Sequence, residues 1–82
     1  MTEVTSEIVM KTVMEHTGLE RDKIKPESRF FEDLELDSLD MVELTMAFED
    51  DNNVEISDEE TEATKTVQDA IDLLSAKLGV PA

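Results

Sequence analysis

The residue best placed for covalent chemistry is Ser38, in the run Asp37-Ser38-Leu39, where an irregular stretch gives way to helical periodicity. A serine in the first turn of a helix projects its hydroxyl into solvent. Beside it, the helix N-terminus offers unsatisfied N–H groups and a positive dipole end to any anion attached there. Serine is also a common cap, so Ser38 taken alone reads as an ordinary helix start. Other nucleophiles are scarce. There is no cysteine, which removes disulfides, thiolate metal sites and a cysteine nucleophile together, so any thiol must be imported. The one histidine, His16, falls near the end of a helical segment amid polar neighbours, where a solvated imidazolium suits the C-terminal dipole. A Ser38–His16 pair has no evident oxyanion hole, and an enzyme is not expected. Asp51, Asn53, Glu55 and Glu62 occupy positions 1, 3, 5 and 12 of an EF-hand-like register, but Ile56 stands where the motif needs glycine and Asp58 where it wants an aliphatic. A small acidic calcium-binding or interaction protein with a degenerate loop is the alternative reading. No specific metal site is expected.

The elements that position Ser38 follow from periodicity and caps. With 82 residues, 2 Gly, 2 Pro and no clean apolar alternation, the chain reads as one all-α domain over residues 1–82, a small bundle of three longer helices and one short one. Val4, Ile8, Val9 and Val13, with Met10 and Met14 widening the stripe, predict a first helix over about residues 3–17, closed by Gly18 in the left-handed conformation. A long connection to Leu36 is expected to be pinned by Ile24, Phe30, Phe31 and Leu34, because adjacent aromatics need burial. Asp37 is the N-cap candidate of the second helix, which Asp50-Asp51-Asn52-Asn53 should end. Ser57-Asp58-Glu59-Glu60 has capping-box form and predicts a short helix over about 58–63. Thr66 caps a fourth, whose Val67, Ala70, Ile71, Leu74 and Leu78 form one stripe, closed by Gly79 and Pro81.

At 100° per residue the second helix carries two apolar groups. Met41, Leu44 and Phe48 share one side, near Thr45 and Asn52, while Leu39, Val42 and Met46 lie on another, interleaved with Glu43 and Asp50 and continuous with Asp40. One reading sets both groups in the core. The other leaves Leu39, Val42 and Met46 as an exposed docking strip ringed by carboxylates. Net charge is −15, from 22 acidic and 7 basic residues, and between Arg29 and Lys65 there are 14 Asp and Glu and no Lys or Arg. Such a field disfavours nucleic acid and anionic membranes. It serves solubility, and it also steers basic protein surfaces toward the start of the second helix. The segment from Met1 to Lys11 has no apolar run of signal-peptide or membrane length, so a cytosolic protein is expected. A monomer is expected as well.

Asp33-Leu34-Glu35-Leu36-Asp37-Ser38-Leu39-Asp40, followed by Met41-Val42-Glu43-Leu44, resembles the phosphopantetheine attachment motif of acyl carrier proteins. Similarity extends upstream through Phe30-Phe31-Glu32 and downstream through Glu55-Ile56, Asp58-Glu59-Glu60 and Thr66-Val67-Gln68. The resemblance implies that a phosphopantetheinyl transferase moves 4'-phosphopantetheine from coenzyme A, with magnesium, onto the Ser38 hydroxyl. It also implies that acyl groups ride on the arm's thiol as thioesters, presented to acyltransferases, synthases and other basic-surfaced enzymes of fatty acid, lipid or polyketide biosynthesis. By the same resemblance Asp37, Leu39, Asp40, Val42, Glu43, Met46, Glu49 and Ile56 form the recognition surface, although Ile56 reads equally as core packing. Departures from the family pattern are Glu35-Leu36 where Gly-Ala is usual, Asn52 for an aromatic, and Thr45 and Thr64 for apolar residues. If Asn52, Thr61 and Thr64 line an acyl pocket they need hydrogen-bond partners, and Leu36 would narrow its mouth. A specialised carrier for short, polar or unusual acyl groups is the resulting expectation.

Overall fold

The computed structural model describes residues 2–79, with side chains from Thr5 onward; Pro81 and the side chain of Val4 lie outside the described residues. Among the described residues four helices follow in order: α1 (Thr2–Thr17), α2 (Ser38–Asn52), α3 (Asp58–Ala63) and α4 (Val67–Leu78), with a 3-10 turn at Arg21–Lys23 between the first two. No strand occurs among the described residues, so the all-α bundle of three longer helices and a short one is the observed architecture.

Helix ends coincide with local polar chemistry. α2, α3 and α4 each begin with a reciprocal capping box, Asp37 with Asp40, Ser57 with Glu60 and Thr66 with Asp69, so that each pair satisfies two otherwise orphaned N–H groups. Gly18 and Gly79 follow α1 and α4 at φ +76° and +73°, the left-handed geometry that glycine adopts without a Cβ penalty. Asn53 closes α2 at φ +54°, where its short amide is better tolerated than most side chains.

α1 packs chiefly on α4 and also on α2, and α3 leans on α2. Val9, Met10 and Val13 from α1 meet Met41, Leu44 and Phe48 from α2 and Val67, Ala70, Ile71 and Leu74 from α4. Ile24, Phe30 and Leu34 of the long connection complete the core. That connection is tied to the start of α4 by backbone: Phe30 N–H donates to Lys65 C=O (3.0 Å), Val67 N–H to Ser28 C=O (3.0 Å) and Gln68 N–H to Pro26 C=O (2.8 Å). Phe31 departs from expectation, being 46% exposed while Phe30 is fully buried. Phe30 is anchored to Lys65 and fills the available slot, and the turn that follows carries its neighbour outward.

Candidate functional site

Ser38 is the first residue of α2 and is exposed. Its position is set from both sides. Upstream, Leu34 N–H donates to Arg29 C=O and Leu36 N–H to Phe30 C=O, both at 3.0 Å, and half-buried Leu36 packs on the core. Between these anchors Glu35 takes the left-handed conformation, φ +57°. Downstream, Asp40 N–H donates to Asp37 Oδ1 (2.9 Å) and Asp37 N–H donates to Asp40 Oδ2 (3.0 Å). The N–H groups of Ser38 and Leu39 have no protein acceptor among the described residues, so the first turn of α2 presents free donors beside a free hydroxyl.

The two apolar groups of α2 separate in the fold. Met41, Leu44 and Phe48 are buried, whereas Leu39, Val42 and Met46 are 66%, 52% and 55% exposed. A bundle this small has one interior, and α2 turns only one side to it. Asp37, Glu43 and Asp50 are exposed around the strip, and Asp40 is half-buried. Ile56 and Glu49 have work inside the fold: Ile56 is half-buried against the core, and its N–H donates to Glu49 Oε2 (2.9 Å), tying the segment after α2 back onto the helix.

Two hollows flank this region. Beside Ser38 an open groove of about 360 Å³ is lined by Phe31, Met41, Val42, Thr61, Lys65 and the carboxylates of Asp58 and Glu62. Phe31 and Lys65 were not legible as site residues, because only the return of the long connection against α3 and α4 brings them to Ser38. Between α2, α3 and α4 lies a tighter cavity of about 20 Å³, room for about one water, lined mainly by Phe30, Leu44, Phe48, Ile56 and Leu74 with Thr45, Thr61 and Thr64. Thr64 Oγ1–H donates to Glu60 C=O (2.8 Å), Thr61 Oγ1–H to Ser57 C=O (3.1 Å), and the Thr45 and Thr61 hydroxyls face each other at 3.4 Å. The hydroxyls are thus satisfied locally. Two expectations are corrected: Asn52 bonds Phe48 C=O with its amide (3.0 Å) and stays off the cavity wall, and Leu36 packs on the core instead of at the cavity's edge.

His16 is also corrected. It is half-buried, and its Nε2 lies 3.4 Å from Asp40 Oδ1, linking the last turn of α1 to the first turn of α2. Asp40 is held below the ordinary carboxylate range, chiefly by the Asp37 N–H it accepts and further by His16. His16, Asp40 and Glu43 can bring one ligand atom each within 4.8 Å of one another.

A family model described as the phosphopantetheine attachment site matches residues 7–74. An acyl carrier protein of Helicobacter hepaticus is similar, at 49% identity over 72 residues, covering 88% of this chain and 95% of that protein. The chain belongs to the acyl carrier protein family. The matched span runs from α1 into α4, so this carrier's Ser38, its exposed strip and both hollows fall within it. The cofactor of such a carrier is phosphopantetheine. Neither comparison favours the calcium-binding alternative. In the carrier's fold Asp51 lies inside α2, and the carboxylates of the EF-hand-like register form no metal-holding group among the described residues. No described helix is long and apolar enough to cross a membrane.

Proposed function

We propose that Ser38 carries the phosphopantetheine group and that this single domain presents acyl groups to the enzymes of a fatty acid, lipid or polyketide pathway. The carrying observation is the exposed Ser38 hydroxyl at the head of α2, held in place by the Asp37–Asp40 box inside a matched attachment domain. The residues fit the group: the phosphate of the arm would meet the free N–H groups of Ser38 and Leu39 and the positive end of α2, and the groove lined by Phe31, Val42 and Lys65 offers mixed apolar and polar walls to the linker. When bound, the group supplies the thiol that the chain lacks, to which acyl groups are tethered as thioesters.

The protein acts as a carrier, with catalysis belonging to its partners; His16 faces Asp40 instead of activating Ser38. Leu39, Val42 and Met46 are the apolar centre of the docking surface and Asp37, Asp40, Glu43 and Glu49 its acidic rim, with Ile56 at the margin. Partners are the phosphopantetheinyl transferase and acyl-processing enzymes with basic surfaces, drawn in by the field of a −15 chain in the cytosol. The small cavity, with three threonines in its wall, supports short or unusual cargo over a long saturated chain. If acyl forms from two to sixteen carbons all raised Tm alike, that cargo preference would be wrong.

The deciding experiment is intact mass after incubation with coenzyme A, magnesium and a broad-specificity phosphopantetheinyl transferase. Wild type should gain one arm and Ser38→Ala none, both remaining helical by circular dichroism. An arm on Ser38→Ala, or none on a folded wild type, refutes the assignment.

A further inference from the structure

His16, Asp40 and Glu43 converge although they come from two helices and the motif above needs no histidine. Asp40 and Glu43 are three residues apart on α2 and share a face, and the packing of α1 on α2 brings the His16 imidazole to them. Nε2 of His16 already lies 3.4 Å from Oδ1 of Asp40, and a ligand atom from each of the three lies within 4.8 Å of the others. A tetrahedral ion with bonds of about 2.0–2.2 Å holds its ligands roughly 3.3–3.6 Å apart, a spacing that His16 and Asp40 already have and to which the exposed side chain of Glu43 would have to draw in. We propose that these three residues form a mononuclear site for a borderline divalent cation of the zinc type, clamping the end of α1 to the first turns of α2 beside Ser38.

Three features make this more than a cluster of surface acids. Asp40 is prepositioned, because its Oδ2 accepts the Asp37 N–H (3.0 Å) and leaves Oδ1 toward His16. The His16 and Asp40 side chains are only 21% and 35% exposed while Glu43 is exposed, so the ion would be held on its inner side and finish its shell with water on the outer one. No lysine or arginine competes for these carboxylates among the described residues; the cation-bearing pairs there are Arg21–Glu7, Arg29 with Glu32 and Asp33, and Lys77–Glu60. The net charge would attract any divalent ion, but only an imidazole nitrogen distinguishes zinc from calcium or magnesium, which take oxygen ligands. The site is independent of whether Ser38 is esterified, and when filled it withdraws Asp40 and Glu43 from the acidic rim.

The test is calorimetric titration of the untagged full chain with Zn²⁺ and, separately, Ca²⁺ at fixed ionic strength, with the imidazole resonances of His16, the sole histidine, followed by NMR. Wild type should bind one Zn²⁺ at least 30-fold more tightly than Ca²⁺, with the His16 signals saturating at one equivalent. His16→Gln should lower Zn²⁺ affinity to the Ca²⁺ level without changing Ca²⁺ binding, Glu43→Gln should weaken Zn²⁺ at least tenfold, and Glu59→Gln should leave it unchanged. Equal affinity for the two ions, or an undiminished Zn²⁺ site in His16→Gln, overturns the proposal. Should a variant misfold, the wild-type NMR titration decides alone: imidazole signals that do not move at one equivalent of Zn²⁺ refute the site.

Discussion

Glu35 is held at φ +57° with its side chain exposed, one residue before half-buried Leu36 and three before Ser38. A left-handed backbone costs a non-glycine residue about 1–2 kcal/mol through the close approach of Cβ to the following carbonyl oxygen. Glycine escapes that cost but returns roughly 0.5–1 kcal/mol through the greater freedom of its unfolded chain. Glu35→Gly should therefore stabilise the fold by about 0.5–1 kcal/mol, which at about 4–8 °C per kcal/mol in a domain of this size raises Tm by roughly 2–8 °C. Removing one negative charge from a −15 chain would also help, so two controls separate the causes. Glu35→Gln deletes the charge and keeps the strain, and Glu35→Ala deletes the side chain beyond Cβ and keeps the strain. Thermal unfolding by circular dichroism at two salt concentrations reads all four proteins. The gain of Gly over Ala should persist in high salt, and that of Gln over wild type should fade with it. If Gly is no more stable than Ala and Gln, backbone strain at Glu35 is not the cause. Because glycine can keep the same turn, arm loading at Ser38 should be unchanged.

Core and surface sides of α2 should respond oppositely. Leu44→Ala, at a fully buried site, should cost about 2–5 kcal/mol in denaturant unfolding, while Met46→Ala should shift stability by no more than about 0.5 kcal/mol yet slow loading by the transferase; equal stability losses would contradict the assignment of faces. Glu60 accepts from Lys77 Nζ (2.8 Å) and from the Ser57 N–H, and these hold its pKa below the ordinary 4.5. A depressed acid contributes stability that is complete above its unfolded pKa and is lost as pH falls through the folded one. The advantage of wild type over Glu60→Gln should thus be constant above roughly pH 5.5 and shrink as pH drops through 4.5 and below; a pH-independent difference would show that the carboxylate's ionisation is not involved. Raising NaCl from about 10 to 200 mM should raise Tm by screening self-repulsion and lower the association rate with basic partners, and a salt-insensitive rate would argue against steering.

Asp40 joins several of these effects at one position. It completes the box that starts α2, faces His16 from α1 and sits two residues beyond Ser38. Its carboxylate therefore couples the start of the helix to the packing of α1, and substitutions there will change stability as well as docking. Met46, exposed and outside the cluster of His16, Asp40 and Glu43, is a cleaner probe of the proposed recognition surface.

Local chemistry made the helices readable in advance. Asp37, Ser57 and Thr66 start α2, α3 and α4 because a side-chain oxygen three residues before an orphaned N–H needs no distant partner, and Gly18 ends α1 because its φ is unrestricted. Ser38 was legible for the same reason: its place at a helix start and the motif around it are sequence-adjacent. Periodicity divided α2 into two apolar groups and pointed to Leu39, Val42 and Met46 as the exposed one, but it could not by itself exclude that both are core. Which one is buried depends on where α1 and α4 lie, and only packing put Met41, Leu44 and Phe48 inside and left Leu39, Val42 and Met46 in solvent. The same dependence on distant neighbours sent Phe30 inward and Phe31 toward Ser38, and brought His16 to Asp40 across 24 residues of chain. Caps and turns are settled within four or five residues, whereas the choice of buried face and the meeting of remote side chains are decided by how the helices share one small interior.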